Sequence, residues 1–255
     1  MKITILGCGP SGGVPLVGGV WGNCDSRNPL NYRTRSSILI ETSGHTLLVD
    51  TSPDMRSQLL RESVKNVDAV FFTHAHADHC HGIDDLRPLF YARKYRTIPI
   101  YGAQDTISSI ESMFNYLFES RHHHYPQILH SNVLPLYSEV DLFGMKCLLF
   151  EQDHGFSKTI GYRFNNIAYS TDVRQLDDKA LEHLQNLDLW IVDCLSENEK
   201  PTHAHLAQTL EWIAKVKPKQ AILTHMDQSL DYEALKAKLP DNVEPAFDGM
   251  IIKIP

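Results

Sequence analysis

The amino-acid sequence predicts an α/β protein made of one domain that spans residues 1–255. Short runs rich in Val, Ile, Leu and Phe alternate with stretches of helical periodicity from one end of the chain to the other. No repeat of fixed period, flexible linker or low-complexity block divides the chain. Because 255 residues are enough to bury a large core in one unit, we expect sheets whose outer faces are covered by helices.

Strands are predicted where apolar and β-branched residues stand together between turn-forming residues. In chain order they cover residues 2–7, 36–41, 46–50, 69–73, 98–101, 133–136, 146–151, 159–164, 167–170, 189–193, 221–224 and 250–254. Helices are predicted where apolar residues recur every three or four positions, and they cover residues 54–62, 86–95, 106–118, 177–185, 206–216 and 232–238. The segment 121–126, which contains His122, His123 and His124, fits either a solvated loop or a lid over a pocket.

Composition limits the classes of function. The chain is 42% hydrophobic and 22% charged, as is ordinary for a soluble protein, and it contains no run of the roughly 20 apolar residues that cross a membrane. Its opening residues are too few and too soon interrupted by glycine for a signal peptide. A formal charge of -7 argues against broad attraction to a nucleic-acid backbone. We therefore expect a cytoplasmic protein with a small substrate and without a membrane or extended nucleic-acid partner. A homodimer is compatible with the sequence.

The cysteines do not form a recognisable framework. There are five, an odd number, and they lie scattered at positions 8, 24, 80, 147 and 194 without a C-x-x-C pair. Neither a set of disulfides nor a cysteine zinc site is therefore indicated. We expect reduced thiols that fill the core.

One segment concentrates metal-binding chemistry. A bulky apolar strand ends at Thr73, and His74, His76, Asp78 and His79 follow within six positions. Imidazole and carboxylate together suit zinc, manganese or iron(II) rather than calcium. A polar loop with hydrogen-bonded side chains would explain one histidine, but it does not explain this cluster.

Two metals need more ligands than this segment supplies. His154, Asp172 and His225 each stand just after an apolar run, where a strand is predicted to end. Each residue taken alone is more often an ordinary polar residue at a strand end. Three such residues that complete one ligand set indicate a centre for two divalent cations.

The order T-H-x-H-x-D-H, a later His, an Asp after a strand and a final His resembles the metallo-β-lactamase superfamily over nearly the whole chain. The resemblance implies a four-layer αββα sandwich with the metals at one edge, between the sheets. It implies that the first metal is bound by His74, His76 and His154, the second by Asp78, His79 and His225, and both by the bridging Asp172. It also implies that Asp50 supports the histidine loop from outside the ligand set.

A bridging carboxylate narrows the subfamily. True β-lactamases usually have a cysteine where Asp172 stands, and they are secreted, so antibiotic hydrolysis is not expected here. Superfamily members with a bridging Asp include phosphodiesterases, tRNA 3′-processing endonucleases, glyoxalase II-type thioesterases and flavodiiron proteins.

The N-terminal segments 7–15, 21–24 and 31–37 and the closing segment 247–250 resemble the PhnP-like group of phosphoribosyl cyclic phosphodiesterases. In physical terms, backbone N–H groups at Ser11 and Gly12 could approach an anion, and Arg33 and Arg35 could neutralise phosphate. A tight turn with surface arginines is the alternative. Members of that group carry several cysteines after the Trp-Gly pair, which form a structural zinc site. Only Cys24 is present here, so we expect no third metal.

The resemblance also implies a general acid. In the PhnP-like group and in the tRNA endonucleases, a histidine between the bridging Asp and the last ligand is proposed to protonate the leaving group. His203 and His205 both stand in that stretch, and the spacing H-x-x-L favours His203, with Asp193 to orient it. The other histidine would cap the helix or face solvent. Asp78 or Asp172 would accept a proton from the attacking water.

The leading hypothesis is therefore a hydrolase with two divalent cations, zinc or manganese with iron also compatible, that acts on a cyclic phosphate or a small nucleotide-like phosphodiester. The alternatives are a tRNA 3′-processing endonuclease, a thioesterase-type hydrolase or a relative of quinone-cofactor biosynthesis proteins, and a non-catalytic module that retains its metals. Only 17 residues separate His154 from Asp172, which leaves little room for a tRNA-gripping arm. The sequence identifies neither the metal nor the physiological substrate.

Overall fold

A computed structural model describes residues 1–120 and 125–254. Its strands, β1 to β14 in chain order, are Lys2–Gly7, Ser37–Thr42, His45–Val49, Ala69–Phe71, Ile98–Gly102, Leu129–Val133, Val140–Leu142, Met145–Asp153, Lys158–Phe164, Ile167–Ser170, Leu189–Asp193, Gln220–Thr224, Val243–Pro245 and Ile251–Lys253. Its helices, α1 to α7, are Met55–Arg61, Ala77–Cys80, Arg87–Ala92, Gln104–Met113, Asp178–His183, Leu206–Val216 and Tyr232–Lys236. Short 3₁₀ helices lie at Pro29–Asn31, Ile83–Leu86 and Asn115–Leu117.

The strands form two seven-stranded sheets. The first has the order β14-β1-β2-β3-β4-β5-β6, and the second has the order β13-β12-β11-β10-β9-β8-β7. The two sheets face each other, with α1, α3 and α4 outside the first and α5, α6 and α7 outside the second. The predicted αββα sandwich is confirmed.

Alternation along the strands explains the layers. In β3, Leu47 and Val49 pack into the core between the sheets, whereas Leu48 between them faces the helices. In β2, Ile38 and Ile40 point inward and Leu39 points outward in the same way. Successive side chains of a strand face opposite sides, so strands that are apolar throughout belong in sheets covered on both faces.

The sheet topology places several strand ends at one edge. In the first sheet β3 and β4 are parallel, and in the second β10, β11 and β12 are parallel. The carboxyl ends of parallel strands meet at the same edge, where loops are free to carry functional side chains. The predicted site residues after β3, β4, β10, β11 and β12 therefore converge.

The largest errors of prediction concern edge strands. The sixth strand was expected at residues 133–136 but is Leu129–Val133, and β7 and β13 were not predicted. All three are terminal or short strands of their sheets, and β6 carries polar residues that face solvent. Because an edge strand is partly solvated, it does not need the continuous apolar run that marks a central strand.

The helices agree more closely with prediction. The exact bounds of α6 were predicted, and the predicted helix 106–118 is α4 followed by the 3₁₀ helix Asn115–Leu117. The one-turn α2 inside the histidine segment was not predicted. In the described part of the chain, no helix is long and apolar enough to cross a membrane. Residues 121–124 of the predicted loop or lid lie outside the described residues.

Candidate metal centre

The histidine segment is fixed by the carboxylate of Asp50, which follows β3. Asp50 Oδ1 accepts from the backbone N–H of Thr73 at 2.8 Å, and Oδ2 accepts from the Thr73 hydroxyl at 2.7 Å. Oδ2 also lies 2.7 Å from His79 Nδ1. Asp50 is fully buried, so one carboxylate fixes both ends of the loop that runs from Thr73 to His79.

Backbone strain marks three of the strand ends. Asp50, Asp172 and His225 have φ values of 63°, 53° and 59°, in the left-handed region that residues other than glycine uncommonly occupy, although Asn, Asp and His do so more often than the rest. Asp50 and His225 directly follow β3 and β12, and Asp172 lies in the loop after β10. Residues held in sparsely populated conformations cluster at functional sites, where the surrounding structure must hold them.

The first group of candidate ligands contains His74, His76, His154 and Asp172. Their ligand atoms all lie within 4.8 Å of one another. His74 Nε2 lies 3.0 Å from His76 Nδ1 and 3.7 Å from Asp172 Oδ2, and His154 Nε2 lies 3.8 Å from the same carboxylate oxygen. These atoms surround a space of the size that one cation occupies.

The second group contains Asp78, His79, Asp172 and His225. His79 Nε2 lies 3.1 Å from Asp172 Oδ1 and 3.3 Å from Asp78 Oδ2. His225 Nε2 lies 3.3 Å from Asp172 Oδ1. The two oxygens of Asp172 therefore face different groups, which is the arrangement of a bridging ligand.

Unpaired ring nitrogens and the local negative charge in these groups fit divalent cations. Within the described residues, His79 Nε2 and His225 Nε2 are buried without a hydrogen-bond partner. Although burial opposes its charge, the carboxylates of Asp172, Asp50 and Asp78 raise the pKa of His79 well above its ordinary value. Three converging carboxylates thus stabilise positive charge in a buried space, and a divalent cation would supply that charge.

The other ring nitrogens of three histidines have partners that set their orientation. His79 Nδ1 contacts Asp50, His74 Nδ1 lies 3.0 Å from the Thr73 hydroxyl, and His154 Nδ1 donates to the Thr202 carbonyl at 2.7 Å. Such partners hold a ring so that its other nitrogen points at a metal. Thr73 and Thr202 were not predicted, because a threonine beside a ligand carries no sequence signal of its own.

His203 stands beside the first group. Its Nδ1 lies 2.9 Å from Asp193 Oδ2, and its Nε2 lies 3.9 Å from Asp172 Oδ2. Although burial opposes protonation, the charge and hydrogen bond of Asp193 raise the pKa of His203 to about 9. Asp193 is itself fully buried and also accepts from the backbone N–H of Val173.

His205 occupies a different position. It is the N-cap residue of α6, and its side chain makes no capping hydrogen bond. In residues 1–120 and 125–254, a third group that could hold a cation consists of Asp193, His203 and His225, and none of the three groups includes His205. The structure therefore brings His203 to the centre and leaves His205 at the start of the helix.

Asp78 is better suited to bind a cation than to accept a proton. Although burial opposes ionisation, the charge of His79 and a hydrogen bond with His225 hold the pKa of Asp78 far below its usual range. A carboxylate with so low a pKa remains ionised but is a weak base.

Arg33, which was predicted to contact substrate, is buried. Its side chain is 1% exposed, and its guanidinium donates to the carbonyls of Asp227 and Leu230 at 2.9 and 2.6 Å. It also donates to the Asn31 side chain. Arg33 thus holds the loop that follows His225, and its guanidinium is shielded from solvent.

The other predicted substrate contacts lie at the surface. Arg35 pairs with Asp54 at 3.1 Å and is about one-third exposed. Ser11 and Gly12 are exposed in a turn that is closed by the Gly13 N–H donating to the Pro10 carbonyl. These three residues are accessible, and their contact with substrate remains a prediction.

This chain is similar to a known protein family and to solved structures. A model of the beta-lactamase superfamily domain matches residues 45–226, a range that contains all seven predicted ligands. A solved structure described as a new diphosphatase from the PhnP family is 32% identical, with a TM-score of 0.90, and the match covers 100% of this chain and 98% of that one.

Two curated relatives carry different names. An octanoyltransferase of Porphyromonas gingivalis is 31% identical over 257 residues, which cover 98% of this chain and 51% of that protein. A ribonuclease Z of Methanococcus maripaludis is 26% identical over 123 residues, which cover 47% of this chain and 34% of that protein. This chain therefore spans about half, or less, of the length of these curated relatives.

Proposed function

Because the chain belongs to the metallo-β-lactamase superfamily, with the PhnP-like structure that its motifs indicated, we propose that it is a metal-dependent hydrolase that cleaves a phosphodiester bond in a small substrate. The diester is a cyclic phosphate or a small nucleotide-like ester. The PhnP-family diphosphatase supports phosphoryl chemistry, since it is similar over the full length of both chains.

The position of His203 carries this proposal. Asp193 holds Nδ1 at 2.9 Å, so Nε2 faces Asp172, the residue shared by both groups of ligands. Ester cleavage at phosphorus leaves a poor alkoxide leaving group, and an acid next to the metal centre overcomes that difficulty. A structural metal site formed by the two groups that share Asp172 would not need an oriented histidine outside them.

The protein's residues have distinct roles in this reaction. His74, His76 and His154 would hold one cation, Asp78, His79 and His225 the other, and Asp172 would bridge them. Divalent cations bound there supply electrophilic assistance to the phosphoryl group and acidity to water. As the oxygen of water bonds to phosphorus and the ester P–O bond breaks, His203 Nε2 gives its proton to the leaving oxygen. The proton that the attacking water loses then replaces the proton that His203 gave up.

The second sheet argues against a tRNA 3′-processing endonuclease. Between His154 and Asp172, the chain turns into β9, of seven residues, and continues into β10, of four, so most of these 17 residues belong to the sheet. No segment there is long enough to form an arm that grips tRNA.

Acyl transfer through a cysteine is also disfavoured. All five cysteines are buried, and burial raises the pKa of each thiol. Such thiols are poor nucleophiles. The octanoyltransferase is about twice as long as the matched region, so its name does not need to describe the half that is similar to this chain.

The test is a substrate panel on protein loaded with zinc or manganese. We expect turnover of bis(p-nitrophenyl) phosphate and of nucleoside p-nitrophenyl phosphodiesters, loss of turnover with a chelator, and about two metal ions per chain by elemental analysis. Turnover of an octanoyl thioester alone would overturn the proposal. Cleavage of precursor tRNA with steep salt dependence would favour the endonuclease instead.

A further inference from the structure

A cleft of about 670 Å³ opens directly from the metal centre. His74 and His76 line it, and α4 forms a wall that carries Thr106, Ser108, Ser109 and Ser112. The sequence did not single out these residues, because hydroxyl side chains on one face of a helix usually face bulk solvent. Here the same face borders the candidate ligands.

The hydroxyl groups of this wall offer both kinds of hydrogen bond. Ser108 Oγ accepts from Gln104 Nε2 at 3.0 Å, so its proton remains available for donation. Ser109 Oγ donates to the Asp105 carbonyl at 2.8 Å, so its lone pairs remain available as acceptors. A ligand with hydroxyl groups can therefore be bound without a charged partner.

A second hollow of about 690 Å³ adjoins the cleft at Asp105, Thr106, Ser157 and Lys158. Its floor is largely apolar and includes Val133, Leu134, Pro135, Leu136 and Ile160. The groove thus changes from hydroxyl groups near the metals to apolar side chains farther away.

The charge along this groove is unfavourable for a second phosphate. Among the described residues that line either hollow, Lys158 is the only lysine or arginine. Its ammonium lies 2.6 Å from the carboxylate of Glu151, and Asp105 lines both hollows. Away from His74 and His76, the charged side chains of the groove are thus two carboxylates and one ammonium, and their net negative charge disfavours a phosphate dianion by Coulomb repulsion.

We propose that this groove selects phosphodiesters whose non-leaving arm is uncharged and carries hydroxyl groups, and that it rejects substrates with a further phosphate on that arm. This inference rests on the proposed phosphodiesterase function. It departs from what the name of the phosphoribosyl group implies, since a phosphoribosyl substrate carries an additional phosphate.

The test uses two substrates that differ by one phosphate, thymidine 5′-(p-nitrophenyl phosphate) and its 3′-phosphorylated form. We expect the metal-loaded protein to prefer the first by about tenfold in kcat/KM, and the preference to shrink at high salt. Glu151→Gln should free Lys158 and narrow the preference by about threefold. The matched control is Glu139→Gln, because Glu139 forms a similar exposed pair with Lys146 but does not line the groove.

Equal or better turnover of the 3′-phosphorylated substrate would overturn the proposal, as would an equal effect of the two glutamine variants. If the metal-loaded protein cleaves neither substrate, the proposed function fails, and selectivity is then decided by calorimetric binding of thymidine 5′-monophosphate and thymidine 3′,5′-bisphosphate. Tighter binding of the monophosphate supports the groove, and tighter binding of the bisphosphate refutes it.

Discussion

The metal centre and the groove beside it are built in opposite ways. Five of the seven predicted ligands are buried, and partners such as Asp50 fix the rings from behind. The groove is lined by exposed hydroxyl groups and by Lys158, whose side chain is 69% exposed. The metal centre is rigid because each buried polar atom has few alternative hydrogen-bond partners. In the groove, by contrast, water competes for every hydrogen bond.

This difference separates the two parts of function. Reaction chemistry needs groups that are fixed to within about half an ångström, so it depends on buried side chains that are held by more than one hydrogen bond. Substrate choice among phosphodiesters depends on weaker contacts that change more readily. Substitutions in the centre should therefore have large effects on all substrates, and substitutions in the groove should have small effects that depend on the substrate.

The largest effect is expected in the metal centre. We predict that His203→Ala lowers kcat for phosphodiesters by about 10²–10⁴-fold, because the leaving oxygen loses its proton donor. Metal content should remain the same, since His203 stands outside the two main groups. Steady-state kinetics with elemental analysis measures both quantities.

His205→Ala is the matched control for that prediction. His205 stands two residues away, at the start of α6, so turnover should stay within a few-fold of the unchanged protein. The assignment of the acid is refuted if the His205 variant is inactive and the His203 variant is not. If His203→Ala lowers kcat more for substrates with poor leaving groups than for substrates with good ones, the assignment of His203 as the acid is strengthened.

A smaller effect is expected from the support behind the ligands. Asp50→Asn keeps the size of the side chain but removes its charge, so it weakens the bond to His79 Nδ1. We predict a loss of about 10–100-fold in affinity for the second cation, measured by competition with a chelator. Asp68→Asn is the control, because Asp68 accepts from the Thr46 N–H, away from the centre. Equal losses in both variants would contradict the support role.

Prediction from sequence succeeded where chemistry and periodicity coincide. His154, Asp172 and His225 were found because each is a metal-binding type at the end of an apolar strand, and the structure brings all three together. The burial of Arg33 was not predicted because a buried and an exposed arginine look alike in a sequence, and the two backbone carbonyls that its guanidinium contacts lie 194 and 197 positions away. The serines of α4 were missed for a similar reason, since only the folded chain shows which face borders the centre.

Arg33 and Arg35 provide the mildest test of the contrast between buried and exposed groups. Arg33→Met removes donors to two backbone carbonyls of the loop after His225 while it keeps the apolar stem, so we predict a loss of about 2 kcal/mol in the free energy of unfolding. Arg35→Met removes only a partly exposed pair with Asp54 and should lose less than about 1 kcal/mol. Urea denaturation of the metal-free proteins compares the two variants. Equal stability would mean that Arg33 does not hold the loop, and a selective loss of phosphodiester affinity in Arg35→Met would support the predicted contact of Arg35 with substrate.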